Sequence, residues 1–231
     1  MPDYEIREWN EENFDVNTIP YTAEAYRQKK YAFVSDYARF WILYKYGGLY
    51  FDTDVEVIRS LDDILEQGPF MGFETDPDGE NSPLKYAPRY AFGVNPGLGC
   101  GFTQGHSFLR DMMELYVLLT LDTTKMAPTL KTVVAHTTDM LMRNGLQEKK
   151  GIQQVGDITV YPHEYFAPIN VISGRLHVTT NTRTIHRYMG SWDTGKGQSL
   201  KERIRAFIPE WLFFLNNKIK RRKYRLPNTT R

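Results

Sequence analysis

From Thr22 to Tyr46 the chain contains neither glycine nor proline; it then meets Gly47 and Gly48 and passes at once into the apolar triplet Leu49, Tyr50 and Phe51. That order predicts one long helix, closed by residues that tolerate the left-handed conformation a helix C-terminus favours, and followed without a linker by a short buried strand. Phe33, Tyr37, Phe40, Trp41 and Tyr44 recur at three- and four-residue steps and give the helix an apolar face. Asp52 and Asp54 stand at the exit of the strand. A chain that drives an apolar strand towards water and then sets two carboxylates one residue apart must place a cation between them or leave both in solvent.

The remaining pattern alternates in kind. "YEIREW" reads as a strand, "VEVIRSLDDILEQ" as a return strand and a short helix that Ser60 or Asp62 can cap, and "FMGFE" and "RYAFGV" as short strands among turns. "HSFLRDMMELYVLL" and "TTDMLMRNG" are amphipathic helices, "ITVYPHEYFAPI" is a strand and a proline-bounded loop, and "RLHVTT" is strand-like. Alternating strands and helices predict an α/β sheet flanked by helices. The 231 residues suit one domain over 1–195, followed by a helical tail over 196–231 in which "PEWLFFLNNKIKRRKYRL" joins aromatic residues to a basic run.

Charge and cysteine usage exclude several classes. Basic and acidic residues number 29 and 28, a net charge of +1, so no overall field recruits nucleic acid. Cys100 is the only cysteine, which rules out an intrachain disulfide and favours a reducing, cytoplasmic setting. The acidic start "MPDYEIREWNEENF" lacks the basic and apolar regions of a signal peptide, and no apolar run reaches the ~20 residues of a membrane span.

A DxD alone carries little weight, and the chain supplies its own control. Asp76 and Asp78 form a second one in "ETDPDGE", where Pro77 and Gly79 spell a solvated turn. The first pair differs because a strand exit is where an open α/β sheet presents groups to a ligand crevice, and two carboxylates facing a diphosphate suit a hard divalent cation. Asp36 and Arg39 share a helical face by their three-residue spacing; taken alone, they are a surface ion pair of small energy. His186, Ser191 and Trp192 follow in "TIHRYMGSW", and a histidine is a common ligand for transition metals although most single histidines are structural.

Together, "SDYARFWILYKYGGLYFDTDVEV" and the late "IHRYMGSW" resemble the two motifs of glycosyltransferase family 32, with a more distant likeness to the glucosylating clostridial toxins. The resemblance runs over residues 3–195. It implies a GT-A fold and a metal-dependent hexosyltransferase of surface polysaccharide synthesis, of the capsular or lipopolysaccharide kind, acting with retention. The implied donor is a nucleotide-diphosphate sugar, UDP-hexose favoured, and the acceptor a glycan, on a lipid carrier in one version. By the same resemblance Asp52 and Asp54 hold Mn²⁺ or Mg²⁺ with His186, and Asp36, Arg39, Tyr50, Asp52 and Asn95 line the donor site. Ser191 and Trp192 hold the leaving nucleotide. Asp52, Asp54 and Arg39 are the catalytic candidates. Family members open with a strand and a loop ahead of the segment matching "PDYEIREWNEENFD", where this sequence has Met1, so the expectation is either a start further upstream or a shortened donor site.

Rival readings stay open at this point. A haloacid dehalogenase type phosphatase would use Asp52 as nucleophile and Asp54 as general acid, with a later lysine and a downstream acid pair. A calcium loop counted from Asp52 fails at its sixth position, Val57, where glycine is needed. A carbohydrate-binding or scaffold protein that has lost catalysis is a further alternative, in keeping with the short start. The basic stretch within 211–226 is either a solvated helix packed on the domain or a peripheral contact with the inner face of an anionic membrane, each basic side chain near the surface contributing about 1 kcal/mol.

Overall fold

A computed structural model describes residues 4–77, 92–121, 132–170 and 174–188. The basic tail, Ser191, Trp192 and Asp78 lie outside the described residues.

The long helix predicted from the sequence is two. Helix α1 (Pro20–Arg27) begins with proline in its first turn, and α2 (Tyr31–Tyr46) follows after Lys29 takes a positive φ of 57°. Lys29 follows the C-cap in the left-handed conformation that commonly ends a helix, Lys30 N–H donates to the Ala25 carbonyl at 2.8 Å, and α1 packs against α2. The second helix is the centre of the molecule. It packs against α1 and α4 (Ser107–Val117), and Val34, Tyr37, Ala38, Phe40, Ile42 and Leu43 are all buried along it. Gly47 ends it at φ 67°, and a side chain there would meet the Gln104 backbone nitrogen at 2.9 Å. Glycine is needed for both the torsion and the close approach.

The chain then enters β1 (Gly48–Tyr50), which lies at the edge of a mixed sheet with order β1-β5-β3-β7-β6. The triplet is partly rather than fully buried, because the edge position covers it on one side only. Strand β5 (Cys100–Phe102) pairs antiparallel to β1, Tyr50 standing opposite Cys100. The central strand β3 (Phe70–Thr75) pairs antiparallel with β4 (Gly93–Val94) and with β5, and parallel with β7 (Ile158–Tyr161), whose other neighbour is β6 (Gln153–Val155). Alternation along β3 serves two cores. Met71 and Phe73 join the larger one with Phe40, Leu43, Leu109, Met112 and Tyr116, while Phe70 faces Leu61, Ile64, Leu98 and Phe166. Gly72 leaves room for Phe166 to lie across the sheet, since a Cβ there would meet that ring at 2.4 Å. A helix α5 (Val133–Arg143) and a 3-10 turn at His163–Tyr165 complete the described layers.

Apart from the sheet, β2 (Val55–Val57) pairs antiparallel with β8 (Thr184–His186), and its register sets Val55 opposite His186. The short helix α3 (Asp62–Leu65) follows β2, and the Ser60 hydroxyl accepts from the Asp62 amide as a cap.

Two strands expected from alternation do not form. Residues 5–10 belong to no strand, with Ile6 92% exposed, and the chain turns through Asn10, whose carbonyl accepts from Phe14 N–H at 2.9 Å. "RLHVTT" contributes one isolated bridge, Leu176 to Ile169. Alternation makes a strand only where a neighbour supplies the ladder. The architecture is mixed α/β and is compatible with a GT-A-like arrangement.

Candidate metal and donor site

The turn after β1 is tight: Val55 N–H donates to the Asp52 carbonyl at 3.1 Å, with Thr53 and Asp54 between. It points Asp52 at α2 and Asp54 at β8.

On the α2 side, Arg39 is the organising group. Its Nε donates to the Ser35 carbonyl at 3.0 Å, and Nη2 lies 3.3 Å from Asp36 Oδ1 and 3.3 Å from Asp52 Oδ1. The guanidinium sits 4.9 Å over the Tyr50 ring, and Tyr50 donates its hydroxyl to Asp52 Oδ1 at 3.0 Å. The predicted surface pair is therefore a buried one, with side chains only 4% and 11% exposed for Arg39 and Asp36. Tyr116 from α4 packs against Tyr37 and Phe40 and closes that face of α2. Burial pushes the Asp36 carboxyl up to about 7, against the pull of Arg39 and with a further push from Asp52. Burial also works against the charge on Arg39, but Tyr50, Asp52 and Asp36 outweigh it and hold the guanidinium above its ordinary pKa. Arg39 stays cationic, and its Nη1 is buried with no hydrogen-bond partner among the described residues.

On the β8 side, the register brings His186 Nε2 to 3.2 Å from Asp54 Oδ1, and Arg187 N–H donates to the Asp54 carbonyl at 2.9 Å. Asp52, Asp54 and His186 each offer one ligand atom, all within 4.8 Å of one another. Neighbouring ligands of a six-coordinate Mg²⁺ or Mn²⁺ lie about 3 Å apart and opposite ones about 4.2 Å, so the three fit one such cation with small rotamer changes. His186 Nδ1 is buried without a partner among the described residues. Tyr188 follows at a strained φ of 50°, its ring 4.3 Å from the His186 ring and its hydroxyl also buried and unpartnered. Among the described residues, three of the five buried side-chain polar atoms without partners lie around this acid cluster, the others being Tyr116 Oη and Thr137 Oγ1, and such a concentration suits a site for a polar ligand.

Other residues adjoin this cluster. Asn95 receives the Glu74 carboxylate on its Nδ2 at 3.0 Å and accepts from Gly97 N–H on its Oδ1 at 2.8 Å. Gly97 touches the acids directly: a Cβ there would lie 2.0 Å from Asp52 Oδ2 and 2.9 Å from Arg39 Nη1. Burial raises the pKa of Glu74, opposed by the Asn95 hydrogen bond and by His186, and supported by Asp52. Burial likewise pushes Tyr188 well up, with Glu74 and Asp54 adding. Cys100 beneath β1 is pushed up to about 12 by burial and is an inert thiol. Glu74, Gly97 and Tyr188 were not singled out from the sequence. For Glu74 the signal was available, an acid at the end of the otherwise apolar "FMGFE".

The second DxD is not idle either. Asp76 accepts from both the backbone N–H of His163, at 2.8 Å, and its Nδ1, at 2.7 Å, so it anchors the 3-10 turn after β7. Beside Asp52 the cation among the described residues is Arg39 rather than the lysine a phosphatase of the haloacid dehalogenase type needs.

Residues 1–71 match the family model described as a glycosyltransferase sugar-binding region containing a DXD motif. That span holds Asp36, Arg39, Tyr50, Asp52 and Asp54, while Asn95 and His186 fall beyond it. The chain is also similar to inositol phosphoceramide mannosyltransferase 3 of Schizosaccharomyces pombe, 33% identical over 117 residues. The aligned part is 49% of this chain and 28% of the relative, so the chain spans less than a third of that protein's length. No solved structure matches significantly. Both matches support a glycosyltransferase-type sugar-binding region built around the DxD at Asp52 and Asp54.

Proposed function

We propose that this chain carries the donor site of a metal-dependent hexosyltransferase, which moves a hexose from a nucleotide-diphosphate sugar to a glycan acceptor. The observation that carries the reading is the convergence of Asp52, Asp54 and His186, with a buried Arg39 behind them. Asp52, Asp54 and His186 would hold Mn²⁺ or Mg²⁺, which when bound would supply positive charge opposite a departing diphosphate. Around it the chain's own residues divide the work. Tyr50 and Arg39 hold Asp52 by the same oxygen, Oδ1, and so fix the orientation of its carboxylate. Arg39 Nη1, buried and unpartnered, is a fixed donor for a phosphate or sugar oxygen. Asp36 keeps the guanidinium in place from the helix side. Asn95 stands where the donor sugar or the acceptor is met.

In the transfer, the bond from the sugar anomeric carbon to the phosphate oxygen breaks and a bond to the acceptor oxygen forms. The acceptor's proton passes to the departing phosphate. Attack on the face the diphosphate leaves, with retention, is the course we favour; trapping a covalent glycosyl-enzyme would exclude it. UDP-hexose is the favoured donor. A mannosyl donor belongs in the same screen, because the similar fission-yeast protein is named for mannose transfer to an inositol phosphoceramide. A lipid-borne acceptor and a peripheral membrane contact through 211–226 fit together with that reading. No helix among the described residues is long and apolar enough to cross a membrane. Surface polysaccharide synthesis in the cytoplasm is the corresponding pathway setting.

The test is a screen of nucleotide sugars for Mn²⁺-dependent hydrolysis, with Asp54→Ala as control. Hydrolysis that persists in the variant removes the metal assignment. The competing reading, a nucleotide-sugar binder without catalysis, predicts a thermal shift with UDP and Mn²⁺ but no hydrolysis of any donor.

A further inference from the structure

Glu74 is the one acid of β3, set between buried Phe73 and Thr75 near the end of the strand, and its side chain accepts from Asn95. Asn95 is tied to the same strand a second time, its backbone N–H donating to the Gly72 carbonyl at 3.1 Å. Both ends of its amide are used: Nδ2 donates to Glu74 Oε1, and Oδ1 accepts from Gly97 N–H. The Gly97 carbonyl in turn accepts from Asp52 N–H at 3.0 Å, and the Gly97 Cα faces Asp52 Oδ2 and Arg39 Nη1 too closely for any side chain. An unbroken series of contacts therefore runs from the end of β3, through an amide and one turn, to the backbone and the carboxylate of Asp52.

The direction of that amide matters. A primary amide can be turned by half a rotation at almost no steric cost, exchanging its oxygen and its NH₂. Turned over, Asn95 would present NH₂ to the Gly97 N–H, donor against donor, and the turn beside Asp52 would lose its anchor. A carboxylate accepts only, so a Glu74 carboxylate facing Nδ2 permits one orientation of the amide.

We propose that Glu74 is a positioning residue for Asp52: by accepting from Asn95 Nδ2 it fixes the Asn95 amide, and with it the Gly97 turn against which the metal-binding carboxylate is seated. This rests on the metal-dependent donor site proposed above and names a residue that supports it from outside. It also assigns both ends of the Asn95 amide to structure.

The experiment is Mn²⁺ binding to the full chain in the presence of UDP, followed by the electron paramagnetic resonance of free Mn²⁺, alongside thermal melting. Glu74→Leu and Glu74→Met, which have no acceptor oxygen, should weaken Mn²⁺ about ten-fold, the low end for residues that orient a metal ligand from behind. Glu74→Gln keeps an acceptor and should stay within about three-fold. Asn95→Ala should weaken binding similarly, and adding Glu74→Leu to it should change nothing further, since Glu74 acts through Asn95. Gln as damaging as Leu, unchanged Mn²⁺ affinity in Leu and Met, or additive losses in the double variant would each overturn the proposal. A lowered melting temperature with wild-type Mn²⁺ affinity would assign Glu74 to the fold alone. If the wild-type chain itself binds no Mn²⁺ with UDP, the donor-site reading fails and this proposal with it, an outcome distinct from the failures confined to the variants.

Discussion

Of the three aspartate–histidine pairs among the described residues, two differ sharply in what they leave over. Asp76 and His163 close on each other: one carboxylate takes the backbone N–H and the ring nitrogen of the same residue, and the result is an anchored turn. Asp54 and His186 meet at 3.2 Å, yet His186 keeps a buried ring nitrogen without a partner, a second carboxylate stands within reach, and an arginine waits behind with a free Nη1. The acids and histidines are of the same kind in both places. Residual hydrogen-bonding capacity separates a structural pair from a site, because buried polar groups are otherwise satisfied.

The largest expected effect tests the open pair. Asp54→Ala should lower Mn²⁺-dependent hydrolysis of the active nucleotide sugar by roughly 10²- to 10³-fold while the melting temperature stays close to wild type. An equal loss from Asp76→Ala in the same assay would erase the distinction between the two pairs.

Next is the arginine behind the open pair. Arg39→Met removes the partner of a buried carboxylate and should destabilise by about 3–5 kcal/mol in urea unfolding at pH 8. The cost should shrink at pH 5. The Asp36 pKa is already raised to about 7, so below that value the carboxyl takes up a proton and no longer needs the guanidinium. A cost independent of pH would mean that packing, rather than the charge, is what Arg39 contributes.

The smallest effect belongs to the closed pair. The hydrogen bond to Asp76 raises the His163 pKa above its ordinary 6.5. Its stabilisation is thus fully present below about pH 6.5 and is lost as pH rises through the raised folded value. Asp76→Asn should cost about 1–2 kcal/mol at pH 5.5 and less at pH 8.5, with hydrolysis unaffected. A penalty that grows with pH would reverse the assignment of charge.

Much of the open site was legible in the order of residues. The double glycine, the strand and the paired aspartates follow from local rules of torsion and periodicity, and Asp36 and Arg39 share a face because a helix puts them there. What was not legible depends on distant partners. That the Asp36–Arg39 pair is buried is decided by Tyr116, on another helix. The break at Lys29 is made by a packing gain between α1 and α2 that no single window contains. Residues 5–10 alternate like a strand yet form none, since alternation says which face is apolar and not whether a neighbour exists. Glu74 and Gly97 gain their meaning only when the turn at Asn95 is laid against Asp52.

The ribbon of β2 and β8 has a consequence for how the protein is made. It joins Glu56 and Arg187, 131 residues apart, by a side-chain hydrogen bond, and the same ribbon delivers His186 to Asp54. On the ribosome both aspartates emerge early, but the histidine arrives only after every described strand of the main sheet has been synthesised. At the proposed metal site, the ligand that would favour a transition metal over calcium is therefore the last of the three to be synthesised.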